Sequence, residues 1–406
     1  MANPIYQALP TTIFAVMSGL ARERGAINLG QGFPDEPGPA AILLKAAEAI
    51  VRGDNQYPPT FGLPELREAA AGHYARRQGL DLDWKTEITV TSGATEALAC
   101  AFLGLIEPGD EVVVFQPFYD SYLPMIRRAG GVPKLLRLEP PHWRFDRAML
   151  ESVFSERTAL VVLNNPLNPT ATVAPEADLA LLAEFCVRYD AVAVCDEVWE
   201  EIVFAPHVHR PLIAFPGMRE RTVKIGSAGK MFALTGWKVG LLMAAPPPTQ
   251  LLAKAHQFLT FTTPPNLQSA VAWGLANSDA WFAAMPGALA ASRDRLTSGL
   301  RGEGFSVLDS QGTYFLNLDL AASGVFEDDM AFCLRSVHEA GVAAIPVSAF
   351  YETAPVNSVV RLCFAKRDAT LDEAVGRLAK ARDLSVRAHN RVPSPPAGEG
   401  GPEGVG

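Results

Sequence analysis

The chain has 406 residues, 49% hydrophobic and 19% charged, with a formal net charge of −9. That length predicts a large domain with a smaller one rather than a single core, and the negative balance argues against nucleic acid as a partner. No apolar run reaches the length of a membrane span, and the opening MANPIYQALPTT lacks the basic start and apolar block of a secretory signal.

Residues 1–40 read as an arm that packs with the smaller domain. A helix over TTIFAVMSGLARERG is followed by INLGQGFPDEPGP, whose glycines and prolines forbid regular structure. AILLKAAEAIVRG and PELREAAAGHYARRQG are predicted helices, the second with Pro64 in its first turn and Gly79 at its end. From about residue 87 the pattern becomes strand, loop, helix, repeated. EITVTSG, EVVVFQP, VPKLLRL, ALVVLNNP, AVAVCDEV, TVKIGSA and VGLLMAA are short apolar runs rich in Val and Ile, as in strands buried on both faces of a mostly parallel sheet. The fold class is therefore α/β over 41–278, with helices on both sides and ligands at the carboxyl ends of the strands. Past 279 a long helix, the hairpin-like FSVLDSQGTYFLNLDL, the strand SVVRLCFA and a closing helix describe a smaller α+β domain to 386. The tail 387–406 is rich in Pro and Gly and reads as disordered.

The five cysteines, Cys100, Cys186, Cys195, Cys333 and Cys363, form no CxxC pair. Sitting mostly in apolar runs, they read as buried thiols of a reducing cytoplasm rather than disulfides. His207 and His209 read as loop histidines, and no metal site is expected.

Chemistry gathers at strand ends. In KIGSAGKMFALTGWKVG, Lys230 follows Ser227 and precedes Lys238. Two readings stand: a solvated loop, or a nucleophilic amine able to capture a carbonyl beside groups suited to an anion. SGATEAL turns from a strand into a helix whose first N–H groups, at Ala94 and Thr95, favour an anion; an ordinary turn has the same sequence. Asn164, Asn165 and Asn168 in NNPLNPT serve turn chemistry or donate to a ligand oxygen. Asp196 closes AVAVCD as a cap, or as counter-charge to a buried cation such as a protonated ring nitrogen. Arg361, inside an apolar strand, must be paired, either internally or as a fork on a substrate carboxylate.

Together, NLGQGFPD, QY, SGATEAL, NNPLNPT, DEVWEEIVF and SAGK-MFALTGWKVG resemble the class I/II pyridoxal-phosphate aminotransferases of fold type I. Within them the chain is similar to the kynurenine/glutamine transaminases and the bacterial methionine or aromatic aminotransferases, from about Phe14 to Leu378. The resemblance implies a ping-pong transamination, with Lys230 as the lysine bonded to the cofactor and the acid/base at the substrate's Cα. It places Asp196 on the ring nitrogen, Asn168 on the 3′ oxygen and Tyr119 stacked on the ring. Ala94, Thr95, Ser227 and Lys238 form the phosphate cup. Tyr57 reaches the neighbouring subunit's phosphate, implying a homodimer with shared sites. Arg361 matches the carboxylate clamp, with Asn164 and Gly32 beside it, and Phe14 and Phe261 the aromatic pocket walls, the latter from the partner chain. Where the family carries Tyr, this chain carries Trp199, whose indole can donate but cannot ionise; Asn168 is then expected to hold the 3′ oxygen alone.

The aromatic walls imply a hydrophobic, aromatic or sulfur-containing amino acid. Three alternatives stand beside this reading. β-Elimination from cysteine conjugates would use the same residues. A serine acyl-enzyme, from S-x-x-K at Ser227 to Lys230, lacks the SDN and KTG elements it needs. An inactive interaction protein on this fold is opposed by the joint presence of Lys230, Asp196, Asn168 and Arg361.

Overall fold

The computed structural model describes residues 3–390. Its centre is a seven-stranded sheet of β1 (Ile88–Ser92), β2 (Glu111–Gln116), β3 (Val132–Arg137), β4 (Thr158–Asn164), β5 (Val192–Asp196), β6 (Thr222–Ser227) and β7 (Val239–Met243). The order across the sheet is β1-β7-β6-β5-β4-β2-β3. The strands pair in parallel except at β7, which runs antiparallel to both β1 and β6. β2 and β7 are buried throughout, which is why their sequences are continuous apolar runs rather than alternations.

Helices cover both faces. α1 (Ile13–Arg24) is capped by the Thr12 side chain and stopped by Gly25 at φ 59°, a left-handed turn that glycine adopts without a Cβ clash. α2 (Ala40–Arg52) and α3 (Pro64–Gln78) pack against the helix Pro265–Asn277, which the sequence patterns above do not predict. Its apolar residues include Val271 and Leu275, four apart on one face. α4 (Gly93–Leu105) follows β1 directly, and α5 (Pro246–Leu259) lies along it.

After the long helix α6 (Asp279–Gly302), the chain builds a second, antiparallel sheet of β8 (Ser306–Val307), β9 (Phe315–Asp319), β10 (Ile345–Pro346) and β11 (Val359–Cys363), in the order β10-β11-β9-β8. The arm is stitched to this part by its backbone. Ile27–Asn28 pairs in parallel with Val342–Ala343, Cys363 donates to the Leu29 carbonyl at 2.7 Å, and Asp35 donates to Ala365. The closing helix α7 (Asp368–Asn390) continues past 387, where a disordered tail was expected to start; the tail from 391 lies outside the described residues. No helix among the described residues is long and apolar enough to cross a membrane.

Candidate active site

The antiparallel placing of β7 brings its first residue to the edge where the parallel strands end. The register pairs Ser92 with Val239 and Ser227 with Gly240, so Lys238, just before β7, arrives beside the turns that follow β1 and β6. Next to them, Asn164 at the end of β4 lies across from Asp196 at the end of β5. A cavity of about 200 Å³ opens at this edge. It is lined by Gly93, Ala94, Thr95, Tyr119, Asn164, Asn168, Asp196, Trp199, Ser227, Lys230 and Lys238, together with Leu98, Val198 and Thr235.

One end of the cavity is built for an anion. α4 begins at Gly93 with φ 72° and takes no side-chain cap from Ser92, so its first N–H groups and the positive end of its dipole face outward. A Cβ on Gly93 would stand 3.2 Å from Lys238 Cε and Nζ, so the glycine lets the ammonium approach the helix start. Lys238 holds a left-handed φ of 55° and has no ion pair among the described residues.

The opposite wall carries Asp196. Its Oδ2 accepts a 2.6 Å bond from Tyr122 Oη, while its Oδ1 is buried with no hydrogen-bond partner among the described residues. Burial pushes this carboxyl up to about 6, the Tyr122 bond opposing. An orphaned carboxylate oxygen at a polar cavity is costly unless a donor comes to it.

Lys230 stands in the short helix after β6, facing the cavity. Burial lowers its ammonium to about 8, with Arg361 and Lys238 also lowering it and Cys363 and Asp196 opposing, so the amine is neutral and nucleophilic far more often than an ordinary lysine. Its Nζ donates to Tyr314 Oη at 3.0 Å.

Arg361, on β11, is almost fully buried and lies across the ring of Phe315 at 3.9 Å, with Phe14 and Phe350 each at 5.3 Å. It donates to the Gly30 carbonyl at 2.8 Å and to Asn168 Oδ1 at 2.7 Å, and its Nε has no partner among the described residues. Because a guanidinium only donates, Asn168 must present its oxygen to Arg361, which leaves the Asn168 amide N–H for the cavity. Asn164 is differently employed: its Nδ2 donates to the Asp196 carbonyl and its Oδ1 accepts from Asn168 N–H. It shapes the loop with one bond at each end of its amide, and keeps a second Nδ2–H at the cavity lining.

Tyr57 and Phe261 are not brought to this cavity. They stack edge to face at 5.3 Å on the outer surface, with Tyr57 82% exposed. Gly32 meets the site through its carbonyl, 3.4 Å from Lys230 Nζ; a Cβ there would strike Phe315 at 2.8 Å. His209 lies in a loop, as expected, but it is not solvated. Its Nε2 lies 3.1 Å from Glu197 Oε2, and its side chain is buried. Glu197, Glu200 and His209 hold ligand atoms within 4.8 Å of one another, but Lys224 is bonded to both carboxylates, so a cation already occupies that place. A second such grouping, Glu96 with Cys100 and His256, has its carboxylate spent on Ser92 N–H, His256 and Thr260.

Three residues of the site were not singled out in the sequence. Tyr122, the donor to Asp196, stands three residues after Tyr119 across a turn in which its N–H bonds to the Tyr119 carbonyl, and the spacing in FYDSY is its only local signal. Thr235 lies within the lysine stretch. Tyr314 has no local signal, since it reaches Lys230 only by tertiary folding.

The residues fit pyridoxal phosphate. The orphaned Asp196 Oδ1 suits a protonated ring nitrogen, the free Asn168 N–H a ring oxygen, and the Gly93–Lys238 cradle a phosphate. Residues 24–378 match the family model for aminotransferase class I and II. The chain is 43% identical over 370 residues to the methionine aminotransferase of Escherichia coli, covering 91% of this chain and 96% of that one. It is 35% identical over 395 residues to human kynurenine–oxoglutarate transaminase 1, covering 89% and 93%. The solved structure of N-succinyldiaminopimelate aminotransferase from Mycobacterium tuberculosis superposes with a TM-score of 0.91 at 45% identity, over 94% of this chain and 100% of that one. The chain belongs to the class I and II aminotransferases, enzymes that depend on pyridoxal phosphate.

Proposed function

We propose that this aminotransferase takes its amino group from a hydrophobic, aromatic or sulfur-containing L-amino acid and passes it to a 2-oxo acid, with Lys230 as the covalent and proton-carrying group. The observation that carries the assignment of residues is the pairing of an orphaned, buried Asp196 oxygen with a lysine of lowered proton affinity in one cavity. When bound, pyridoxal phosphate supplies the electron sink that acidifies the substrate's α-proton. Asp196 holds the proton on the ring nitrogen, and Tyr122 fixes the carboxylate in that direction. Asn168 donates to the ring oxygen while Arg361 holds its amide in register. Tyr119 stacks against the ring. The α4 start, Ser227 and Lys238 bind the phosphate and set the depth of the ring. Arg361 receives the substrate carboxylate in bidentate fashion. Lys230, freed from its covalent bond, would act as the acid/base that carries the proton between the substrate's Cα and the cofactor carbon.

For the side chain, the relatives named for methionine and for N-succinyldiaminopimelate bracket an apolar thioether and a longer chain ending in a carboxylate. Lys230 and Lys238 are the cations lining the cavity, and both are engaged by the cofactor. Phe14 and Phe350 flank Arg361, which supports the apolar choice. A second copy of the chain completes the site in this proposal. Tyr57, Leu251, Phe258, Leu259 and Phe261 are exposed apolar side chains on one protomer, a surface suited to burial in a homodimer, with Tyr57 and Phe261 entering the partner's cavity. The five cysteines are free and buried, in keeping with a cytoplasmic setting. The test offers the purified protein a panel of amino acids with a fixed 2-oxo acid and measures the new amino acid formed. Turnover confined to dicarboxylic donors would refute the side-chain proposal, and light scattering that returned a monomer would refute the shared site.

A further inference from the structure

The amine of Lys230 does not hang free. It donates to Tyr314 Oη at 3.0 Å, lies 3.4 Å from the Gly32 carbonyl, and stands 4.5 Å from the centroid of the Trp199 ring. The Tyr314 hydroxyl itself donates to the Gly32 carbonyl, so it can only accept from the amine. Tyr314 and Trp199 meet edge to face, their centroids 4.5 Å apart and their planes at 88°, and they are 1% and 3% exposed. The turn that delivers Tyr314 is fixed by backbone bonds from Gly312 to Ala171 and from Thr313 to Ile202. The phenol is therefore held from outside the lysine's own segment.

The other charged or titratable groups that bear on the amine are Cys363, Arg361, Asp196 and Lys238, and none of them is hydrogen-bonded to it. A second cavity of about 400 Å³, lined by Trp281, Met285, Leu289 and Tyr314 among others, also reaches Lys230. The lysine thus stands between the cofactor cavity and an apolar one, and its unbonded amine has two directions in which to stray.

We propose that Tyr314, the Gly32 carbonyl and the face of Trp199 form a seat for the Lys230 amine when it is not bonded to the cofactor, Tyr314 acting as a positioning residue. This rests on Lys230 being the reacting amine. Two acceptor oxygens and an indole face all stabilise the amine in its protonated form, indole being the strongest aromatic partner for a cation. The seat keeps the amine within the cofactor cavity after a substrate displaces it. Trp199, standing where the resemblance implies Tyr, serves in this reading as a wall for the amine rather than as a phenolic donor to the ring.

The test follows the pH dependence of reductive methylation at Lys230, by peptide mass spectrometry, in the full-length protein stripped of cofactor. Tyr314→Phe is expected to lower the midpoint of Lys230 by about 0.5–1 unit, since one unit is a tenfold change in the protonation equilibrium. Trp199→Leu lowers it in the same direction, and Trp199→Phe, which keeps an aromatic face, lowers it less. A midpoint in Tyr314→Phe within about 0.2 unit of the parent, or above it, overturns the seat. Should Trp199→Leu fail to fold, Tyr314→Phe and Trp199→Phe decide the matter. The underlying assignment is read separately, by borohydride reduction of the cofactor-loaded protein and peptide mapping. A label on Lys230 supports it; a label elsewhere removes the seat's catalytic role while leaving the titration result in place.

Discussion

Two lysines on one strand-to-helix segment, Lys224 fully buried and Lys230 half-buried at the cavity, have opposite chemistry. Lys224, within β6, is fully buried and bonded to Glu197 and Glu200, with Tyr74 and Gln78 completing Glu200 and His209 completing Glu197. Burial alone would lower its proton affinity, but the two carboxylates outweigh it and hold it raised. Lys230 has no carboxylate bonded to it, and burial lowers it to about 8. The difference teaches that depth does not make a lysine reactive. What matters is whether the fold supplies counter-charges that fix the proton or withholds them.

The comparison can be broken at either lysine. Lys230→Ala is expected to cut transamination by about 10³-fold or more, since a covalent and acid–base group is lost at once, with the thermal midpoint of the cofactor-free protein little changed; steady-state rates and a melt check both. Lys224→Met should do the reverse. It strands Glu197 and Glu200 without their cation, and chemical denaturation should register a loss of about 3–5 kcal/mol. The acid side of this network has a definite sign. Burial raises Glu197, but Lys224 and His209 outweigh it and pull it down to about 2, below the ~4.3 of an unfolded glutamate. Its stabilisation is therefore complete above about pH 4.3 and lost as pH falls toward 2, and Glu197→Gln should flatten that part of the stability profile.

The pH dependence of the amines sharpens the contrast further. Reagents that need a neutral amine should label Lys230 of the cofactor-free protein with a rate that rises through about pH 8, and leave Lys224 unlabelled across the same range. A smaller effect is expected at Asp196. Tyr122→Phe removes one of its hydrogen bonds and should weaken cofactor retention by about tenfold, the worth of a single bond to a charged group, measured by dialysis against buffer.

The lysine stretch was legible because its parts are neighbours in sequence. Ser227, Lys230 and Lys238 share one run, and Asp196 ends an unmistakable apolar strand. The parallel sheet was legible for the same reason, as each buried strand declares itself locally. Residues whose role is made by tertiary approach were not. Tyr314 meets Lys230 only after the second sheet folds back, and Glu197, Glu200 and His209 are strangers in sequence to Lys224. The antiparallel course of β7 was also silent, because a buried strand reads alike in either direction. The helix at Pro265–Asn277 has no side-chain cap and opens on Pro265, a residue that loops and first helical turns share, so its start carries no distinctive local signal.

Lys238 carries a consequence of another kind. A side chain in the left-handed region costs about 1 kcal/mol or more relative to glycine, and φ 55° is the geometry that turns Lys238 back toward Gly93. Replacing it with glycine would relax the backbone and leave the helix start without its ammonium. Selection for a sturdier fold and selection for anion capture therefore pull this one position in opposite directions, and stabilising consensus or design procedures applied to this chain should spare it.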